Sequence, residues 1–545
     1  MSRYQLAGQA ALTALVGILS YFIYKLYNAR VVFWRLKKLG LPMPPWNPIL
    51  GHLPILPSVL AKLPKGAMQA YMFEIISKEF EASDGLYYID LWPFSMPMMI
   101  ISDPLIANQI CIEYDLGKPE MLKPFFKPIV GGEGMFIMNG ERWKRSAVLF
   151  APGFAERVIL ERTEQIVEET GEYVKRLREY VKSGEMFELD NLTCWYMMDV
   201  IGTVTLNDRF MSLTSDNVLA TAMRNQLSQH MREEELNPFK RYNPMHPIRE
   251  HQNSKKMDEY ITNQLNKRYQ EWKNTDRTSV PQTKSIIDLV IADYMRERTV
   301  GDKLDASFIN WACAQIRLFL FVGHDSTAAT IVYSLYLLSK HPEYLERIRK
   351  EHDKLFGTNI DDVPSLLKKQ PSMINQLPFT TAVIKETLRL FPPAAAFRGG
   401  EAGVFLSDSH GARYPTEGCG LNVLHNVIQR NPKYWPRPND FVPERWLVGP
   451  DHELYPKTKG AWRPFEYGTR NCVGQTLVML DVKITLVMVV REFDVKDAYA
   501  EFDKFNGWEN DKKGLKMIDG ERAYQFSKGS AHPADGFPCR VYQRN

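Results

Sequence analysis

The chain has 545 residues, 45% of them hydrophobic and 24% charged, the balance of an ordinary globular protein with length for one large domain or several small ones. A formal net charge of +4 is small for this size and excludes the broad basic surface of a nucleic-acid binder. The six cysteines (Cys111, Cys194, Cys313, Cys419, Cys472 and Cys539) are scattered without a C-x-x-C pair, which excludes a disulfide framework and a zinc site and suits a reducing compartment.

Residues 4–24 carry no charge and are rich in Ala, Leu, Val and Ile, long enough for a helix to cross a bilayer. Arg3 precedes them, whereas Lys25, Arg30, Arg35, Lys37 and Lys38 follow, so the positive-inside rule leaves the body in the cytosol. No small-residue cleavage site is evident, which favours an uncleaved anchor in the endoplasmic reticulum over a signal peptide. Segment 41–48 holds four prolines and reads as a stiff joint. The chain thus divides into an anchor over 1–27, a basic and proline-rich hinge over 28–50, and a body over 51–545.

In the body, 86–92 and 98–102 are β-prone runs around a Pro-containing turn and predict a hairpin. Residues 140–146 form an amphipathic segment around Trp143. Residues 155–300 are helix-compatible, with polar breaks near 237–251 and 274–284. Residues 306–340 are apolar almost all round, as in a helix at the centre of a large domain. Gly323-His-Asp-Ser-Thr327 interrupts them, and an acid with two hydroxyls is costly to bury unless bonded or used. A charged surface helix follows over 341–357. Residues 380–390 form a helix stopped by Pro392 and Pro393, with Glu386 and Arg389 one turn apart. Runs starting at Ala523 and Cys539 predict a C-terminal hairpin with its tip near 529–532.

The segment Phe465-Glu-Tyr-Gly-Thr-Arg-Asn-Cys-Val-Gly474 precedes an apolar helix over 475–490. Gly468 and Gly474 let the backbone turn tightly around Cys472. A helix N-terminus stabilises thiolate over thiol, and a thiolate is a good iron ligand. The segment resembles the haem-binding loop of the cytochrome P-450 family, F-x-x-G-x-R-x-C-x-G, with Val478 at a position that is usually alanine. The resemblance implies Cys472 as axial ligand of haem b iron, with Phe465, Gly468, Arg470 and Gly474 around the cofactor.

The family's other motifs occur in order. Its [AG]-G-x-[DE]-T-[ST] pattern reads Val322-Gly-His-Asp-Ser-Thr327 here, implying that Asp325 carries protons to the distal oxygen, Ser326 takes the first hydroxyl position and Thr327 the adjacent one. W-x-x-x-R is met by Trp143, but Ala147 stands where the arginine belongs, leaving Arg145 or Lys144 to supply the charge. E-x-x-R and the later Phe441-Val-Pro-Glu-Arg-Trp446 imply a buried triad of Glu386, Arg389 and Arg445. Arg398 would join Arg470 at the haem propionates. Val322, Ala394, Ala395, Ala396 and Phe397 would line the substrate pocket, and Phe210, Met211 and Leu213 would contact substrate from its roof.

The implied fold is mainly α with a smaller β-rich part, behind one transmembrane helix. The implied activity is hydroxylation, epoxidation or desaturation of a lipophilic small molecule, by similarity to filamentous-fungal enzymes an intermediate of polyketide, terpenoid or alkaloid metabolism. It would use O2 and electrons from NADPH through a separate membrane-bound reductase, with a b-type cytochrome as an optional second donor. The alternatives are a haem-thiolate isomerase or dehydratase, a fatty-acid or xenobiotic hydroxylase, and a non-catalytic haem-binding protein.

Overall fold

Residues 306–340 contain no proline, and they form one unbroken helix, Ala306–Lys340, about 52 Å long. Most of it is buried, so its hydropathy reflects the centre of a domain rather than a membrane span. The computed structural model describes residues 3–80, 85–230, 243, 245–274, 285–297, 301–508 and 516–544. Around this central helix pack the helices Leu189–Leu206, Met245–Asn274, Pro378–Leu390 and Gln475–Val490. Gly323 permits the closest of these approaches, because a Cβ there would collide with Ile201 of helix Leu189–Leu206. One large apolar core joins these elements.

The strands are β1 (Leu86–Ile89), β2 (Met98–Ile101), β3 (Phe187–Glu188), β4 (Ala396–Gly399), β5 (Phe405–Ser407), β6 (Arg413–Pro415), β7 (Gly420–Val423), β8 (Phe493–Asp497), β9 (Gln525–Lys528), β10 (Ser530–Pro533) and β11 (Pro538–Gln543). The main sheet has the order β1-β2-β7-β4, with β2 and β7 parallel and the other pairs antiparallel. The expected hairpin of β1 and β2 is present. At the C-terminus the pairing differs from expectation. The run from Ala523 turns back at Gly529 to pair with β10, while β11 pairs with β8 and β3. Gly529 closes a tighter hairpin than the distant Cys539 run can offer.

The N-terminal helix runs from Arg3 to Lys38 without a break. Its apolar part is largely exposed, at Leu12, Leu15, Ile18 and Ile23 among others, with the Phe22 ring 5.0 Å from that of Trp92, and is long enough to cross a membrane. The expected hinge over 28–50 is helical through Lys38 and docked on the sheet. Phe33 is fully buried. Arg30 pairs with Asp90 and donates from Nη2 to the Ile49 carbonyl at 2.8 Å. The proline-rich part, 41–48, is non-helical. The break expected near 237–251 is also shorter, since helix Met245–Asn274 begins inside it; 231–242, 244 and 275–284 lie outside the described residues.

Glu386, Arg389 and Arg445 meet with no exposure at all. Arg389 donates to both Glu386 oxygens, at 2.9 and 2.8 Å, and Arg445 Nε donates to Oε1 at 3.0 Å. Trp446 Nε1 and the Val442 N–H fill the remaining sites on the carboxylate, each at 3.0 Å. The arginines spend their other donors on the carbonyls of Gln429, Pro438, Asp440 and Pro436. One carboxylate thereby fixes the long segment that leads into the Cys472 loop. Glu386→Gln should strand two buried guanidinium groups and cost about 3–5 kcal/mol of unfolding free energy. Denaturant unfolding at neutral pH measures this, and a loss under about 1 kcal/mol would remove the triad from that role.

Candidate active site

Cys472 is the single accessible cysteine; the other five are buried. The Cys472 N–H donates to the Phe465 carbonyl at 2.8 Å, closing the loop, and helix Gln475–Val490 starts directly after it. Gly468 has φ of +97°, and a Cβ there would run into the Cys111 carbonyl, so this glycine is required. Gly474 is ordinary by comparison, with φ of −83°. Phe465 is buried against Trp462, with ring centroids 6.0 Å apart. Burial pushes the Cys472 thiol up, and hydrogen bonds from the Gly474 and Gln475 N–H groups only partly offset this. The side chain is therefore accessible yet desolvated, which describes a thiol facing an internal space. The helix N-terminus alone does not make it a thiolate; a cationic partner such as iron would.

Next to this loop lies an excess of buried positive charge. Glu466, with φ of +63°, sits among Arg463 (Nη2 to Oε1, 3.2 Å), Arg398 (Nη2 to Oε2, 3.6 Å) and His425 (Nε2 to Oε2, 3.8 Å). Burial opposes its ionisation, but His425, Arg463 and Arg398 hold its carboxyl well below the usual range. One carboxylate does not satisfy this group: Arg398 Nε and Arg463 Nε and Nη1 are buried with no partner. Arg470 donates to the Met138 carbonyl at 2.9 Å and to Asn139 Oδ1 at 3.1 Å, and its guanidinium lies 4.5 Å from the Trp143 ring centre. Burial and the nearby Arg398 push Arg470 down to about 10.

Lys118, which no motif indicated, completes the set. Burial, then Arg398 and Arg470, depress its amine well below the ordinary lysine range. Asn139 places it, accepting the Lys118 backbone N–H at 2.7 Å through the oxygen that also receives Arg470. The Gly399 N–H donates to the Gly117 carbonyl at 2.8 Å, which ties Lys118 to the strand of Arg398. Arg145 and Lys144 do not supply the charge missing at Ala147. Both side chains are largely exposed on other faces of helix Gly140–Phe150, Arg145 near Asp293 (3.6 Å) and Lys144 on Glu141 (2.8 Å). Two depressed cations, Lys118 and Arg470, beside the orphaned donors of Arg398 and Arg463 call for anions, and the two carboxylates of a haem edge fit that demand.

The central helix is joined to this region through Gln315, which donates to the Glu133 carbonyl at 3.0 Å and accepts the Met135 N–H at 2.8 Å. Val322, Gly323 and Ser326 form the less buried strip in its middle. Ser326 Oγ donates back to the Val322 carbonyl at 3.1 Å, whereas Thr327, on another face, is buried. The Asp325 carboxylate accepts the Ser530 N–H at 2.5 Å and lies 3.2 Å from His532 Nε2. Burial opposes its ionisation, but His532 outweighs it and holds the carboxyl below its ordinary value.

Ala394 and Ala395 remain accessible, but Ala396 packs into the core beneath the sheet and Phe397 against Gly420 on the opposite face. Strand alternation separates them, so they do not line one wall. Phe210 is buried against Gly202 and Tyr260, Leu213 is tied to Asp199, and Met211 sits on an exposed turn. These three serve packing and a turn rather than a common surface.

The cytochrome P450 family model matches residues 41–511. A cytochrome P450 monooxygenase of Polytolypa hystricis, polC, is 38% identical over 95% of this chain and 92% of its own. The monooxygenase acrF of Aspergillus aculeatus is 29% identical over 89% of this chain and 99% of its own, and ptmJ of Penicillium ochrochloron 26% over 96% of each. With a thiol facing an internal space, an anion-seeking edge and an acid on the central helix in one body, the chain belongs to the cytochrome P450 family of monooxygenases.

Proposed function

We propose that Cys472, as thiolate, is the axial ligand of a haem whose propionates lie against Arg398, Arg470 and Lys118, with Trp143 behind Arg470. The observation that carries this reading is the buried excess of cations with unpartnered donors beside the accessible Cys472. When bound, the haem supplies the reductive activation of O2. The chain's own residues do the rest. Cys472 would hold the metal and donate charge to it. Asp325 would hold a proton-carrying carboxyl, with the Ser326 hydroxyl one residue on to orient water. Val322 and the accessible alanines Ala394 and Ala395 leave apolar space for substrate. Glu386, Arg389 and Arg445 keep the loop rigid enough to retain the cofactor.

The substrate class we infer is a lipophilic small molecule, an intermediate of fungal secondary metabolism, in keeping with the fungal monooxygenases this chain resembles. The reaction consumes O2 and NADPH-derived electrons delivered by a separate membrane-bound reductase. The N-terminal helix anchors the enzyme in the endoplasmic reticulum with the body cytosolic, which places both reductase and substrate at the same membrane surface.

Cys472→Ser should abolish NADPH-dependent oxygenation of extracts from a strain lacking the gene, read as mass gains of one oxygen or losses of two hydrogens. Full activity in that variant would overturn the ligand assignment. Lys118→Met should have opposite effects on the two states. Removing a half-buried, repelled cation should raise the unfolding temperature of haem-free protein, and haem affinity should fall roughly tenfold, about 1.4 kcal/mol. Haem titration of the purified variants reads this, with Lys144→Met as an unaffected control. Equal losses in both variants would remove Lys118 from the propionate edge.

A further inference from the structure

The β9–β10 hairpin turns at Gly529, where φ is +98° and an added Cβ would lie 2.8 Å from Asp325 Oδ2. The hairpin therefore brings its backbone onto the acid of the central helix. Ser530 N–H donates to Oδ2 at 2.5 Å, and His532 Nε2 lies 3.2 Å from Oδ1. The other edge of the ring meets Asp190, on helix Leu189–Leu206, with Nδ1 2.6 Å from Oδ1. Ser530 Oγ is 3.0 Å from the same Nε2 that faces Asp325. Asp190 and His532 are buried, whereas the Lys528 side chain, 3.5 Å from Asp190, keeps 44% of its exposure.

Among the described residues, the ring's charged and titratable surroundings are few. They are Asp190 and Cys194 from helix Leu189–Leu206, Asp325 and His324 from the central helix, Lys528 from β9, and Arg224 from helix Val218–His230. Burial lowers His324 to about 4, and its Nδ1 is committed to the Leu320 carbonyl at 2.8 Å, so it stays neutral. Burial raises the Cys194 thiol. His532 is the opposite case: burial works against its charge, but Asp190 and Asp325 raise it well above the ordinary histidine value. A clamp for Asp325 alone would need no such group, because the Ser530 N–H already fixes the carboxylate. The feature left over is an Nε2 shared between a carboxylate and a hydroxyl.

We propose that His532 recharges Asp325 with protons during turnover, held by Asp190 and refilled through Ser530. This rests on the reading that Asp325 serves the oxygen-binding side. The Nε2 proton passes to Asp325 Oδ1, giving a neutral carboxylic acid and a neutral imidazole that keeps its Nδ1–H on Asp190. The Ser530 hydroxyl then donates its proton to Nε2 as it accepts one from a hydronium ion of the solvent, which restores the imidazolium and leaves water. His532 acts through Asp325 and is a positioning residue.

The test uses the full-length enzyme in membranes with an NADPH-dependent reductase and no added substrate. Oxygen is then reduced to water or to hydrogen peroxide, and proton supply sets the ratio. His532→Gln, which keeps a donor toward Asp325 but carries no exchangeable charge, should raise the peroxide recovered per NADPH at least threefold, with an unchanged spectrum of the reduced, carbon-monoxide-bound protein. Ser530→Ala, which leaves both ion pairs in place, should do the same to a lesser degree, and Asp325→Asn should match His532→Gln. A raised peroxide yield in Asp325→Asn alone overturns the relay and leaves the role of Asp325 intact. A wild-type yield in Asp325→Asn overturns both.

A second readout needs no turnover. A histidine raised on folding contributes stability that is complete below its unfolded value, about 6.5, and lost as pH rises through the folded one. The unfolding temperature of the wild type should therefore fall relative to His532→Gln on going upward from about pH 7. A constant difference between the two across that range contradicts the imidazolium.

Discussion

Arg398 and Arg463 are buried around a single carboxylate, Glu466, with Arg470 and Lys118 close by, and the fold tolerates this imbalance only because rigid elements hold it open. Left to relax, such side chains would turn toward carbonyls or water. They are prevented from doing so by the sheet that carries Arg398, by Asn139, which binds both Arg470 and the backbone of Lys118, and by the left-handed turn at Glu466. Stored electrostatic mismatch of this kind marks a site built for an anion.

The rest of the body can be understood as scaffolding for that edge and for the thiol beside it. The triad at Glu386 is the converse case, because its carboxylate is saturated by two arginines, an indole and a backbone N–H. Saturated charge makes a rigid strut, whereas unsaturated charge makes a binding site. The central helix repeats the contrast. Its Gln315 is fully bonded and fixes neighbouring segments, while its Asp325 is held by groups that can themselves exchange protons.

Much of this was legible in the sequence. The helices 306–340 and 475–490 stand out because an apolar run without proline has one outcome at that length. Cys472, Asp325, Glu386, Arg389 and Arg445 lie in local patterns, so short windows suffice to find them. Lys118, His532 and Asp190 could not be found in that way, because their significance comes from contacts made across up to 342 positions of chain. Short windows point to Lys144 and Arg145 for the charge absent at Ala147, whereas the cation that the structure sets beside Arg470 is Lys118, on a separate segment held by Asn139. The C-terminal pairing was misjudged for a related reason. Two β-prone runs in sequence do not reveal that the first turns back at Gly529 while the second joins an earlier strand. Alanines 394–396 look alike as letters, but Ala396 opens strand β4 and packs into the core, whereas Ala394 and Ala395 precede the strand and stay accessible.

The proposed function depends most on Cys472 as the metal ligand. The most direct measurement is the absorption spectrum of the purified full-length protein after haem loading, reduction and exposure to carbon monoxide. A Soret band displaced to long wavelength, as a thiolate opposite carbon monoxide produces, is the predicted result. A band at the position given by a neutral nitrogen ligand, in protein that is folded and fully loaded, would contradict it.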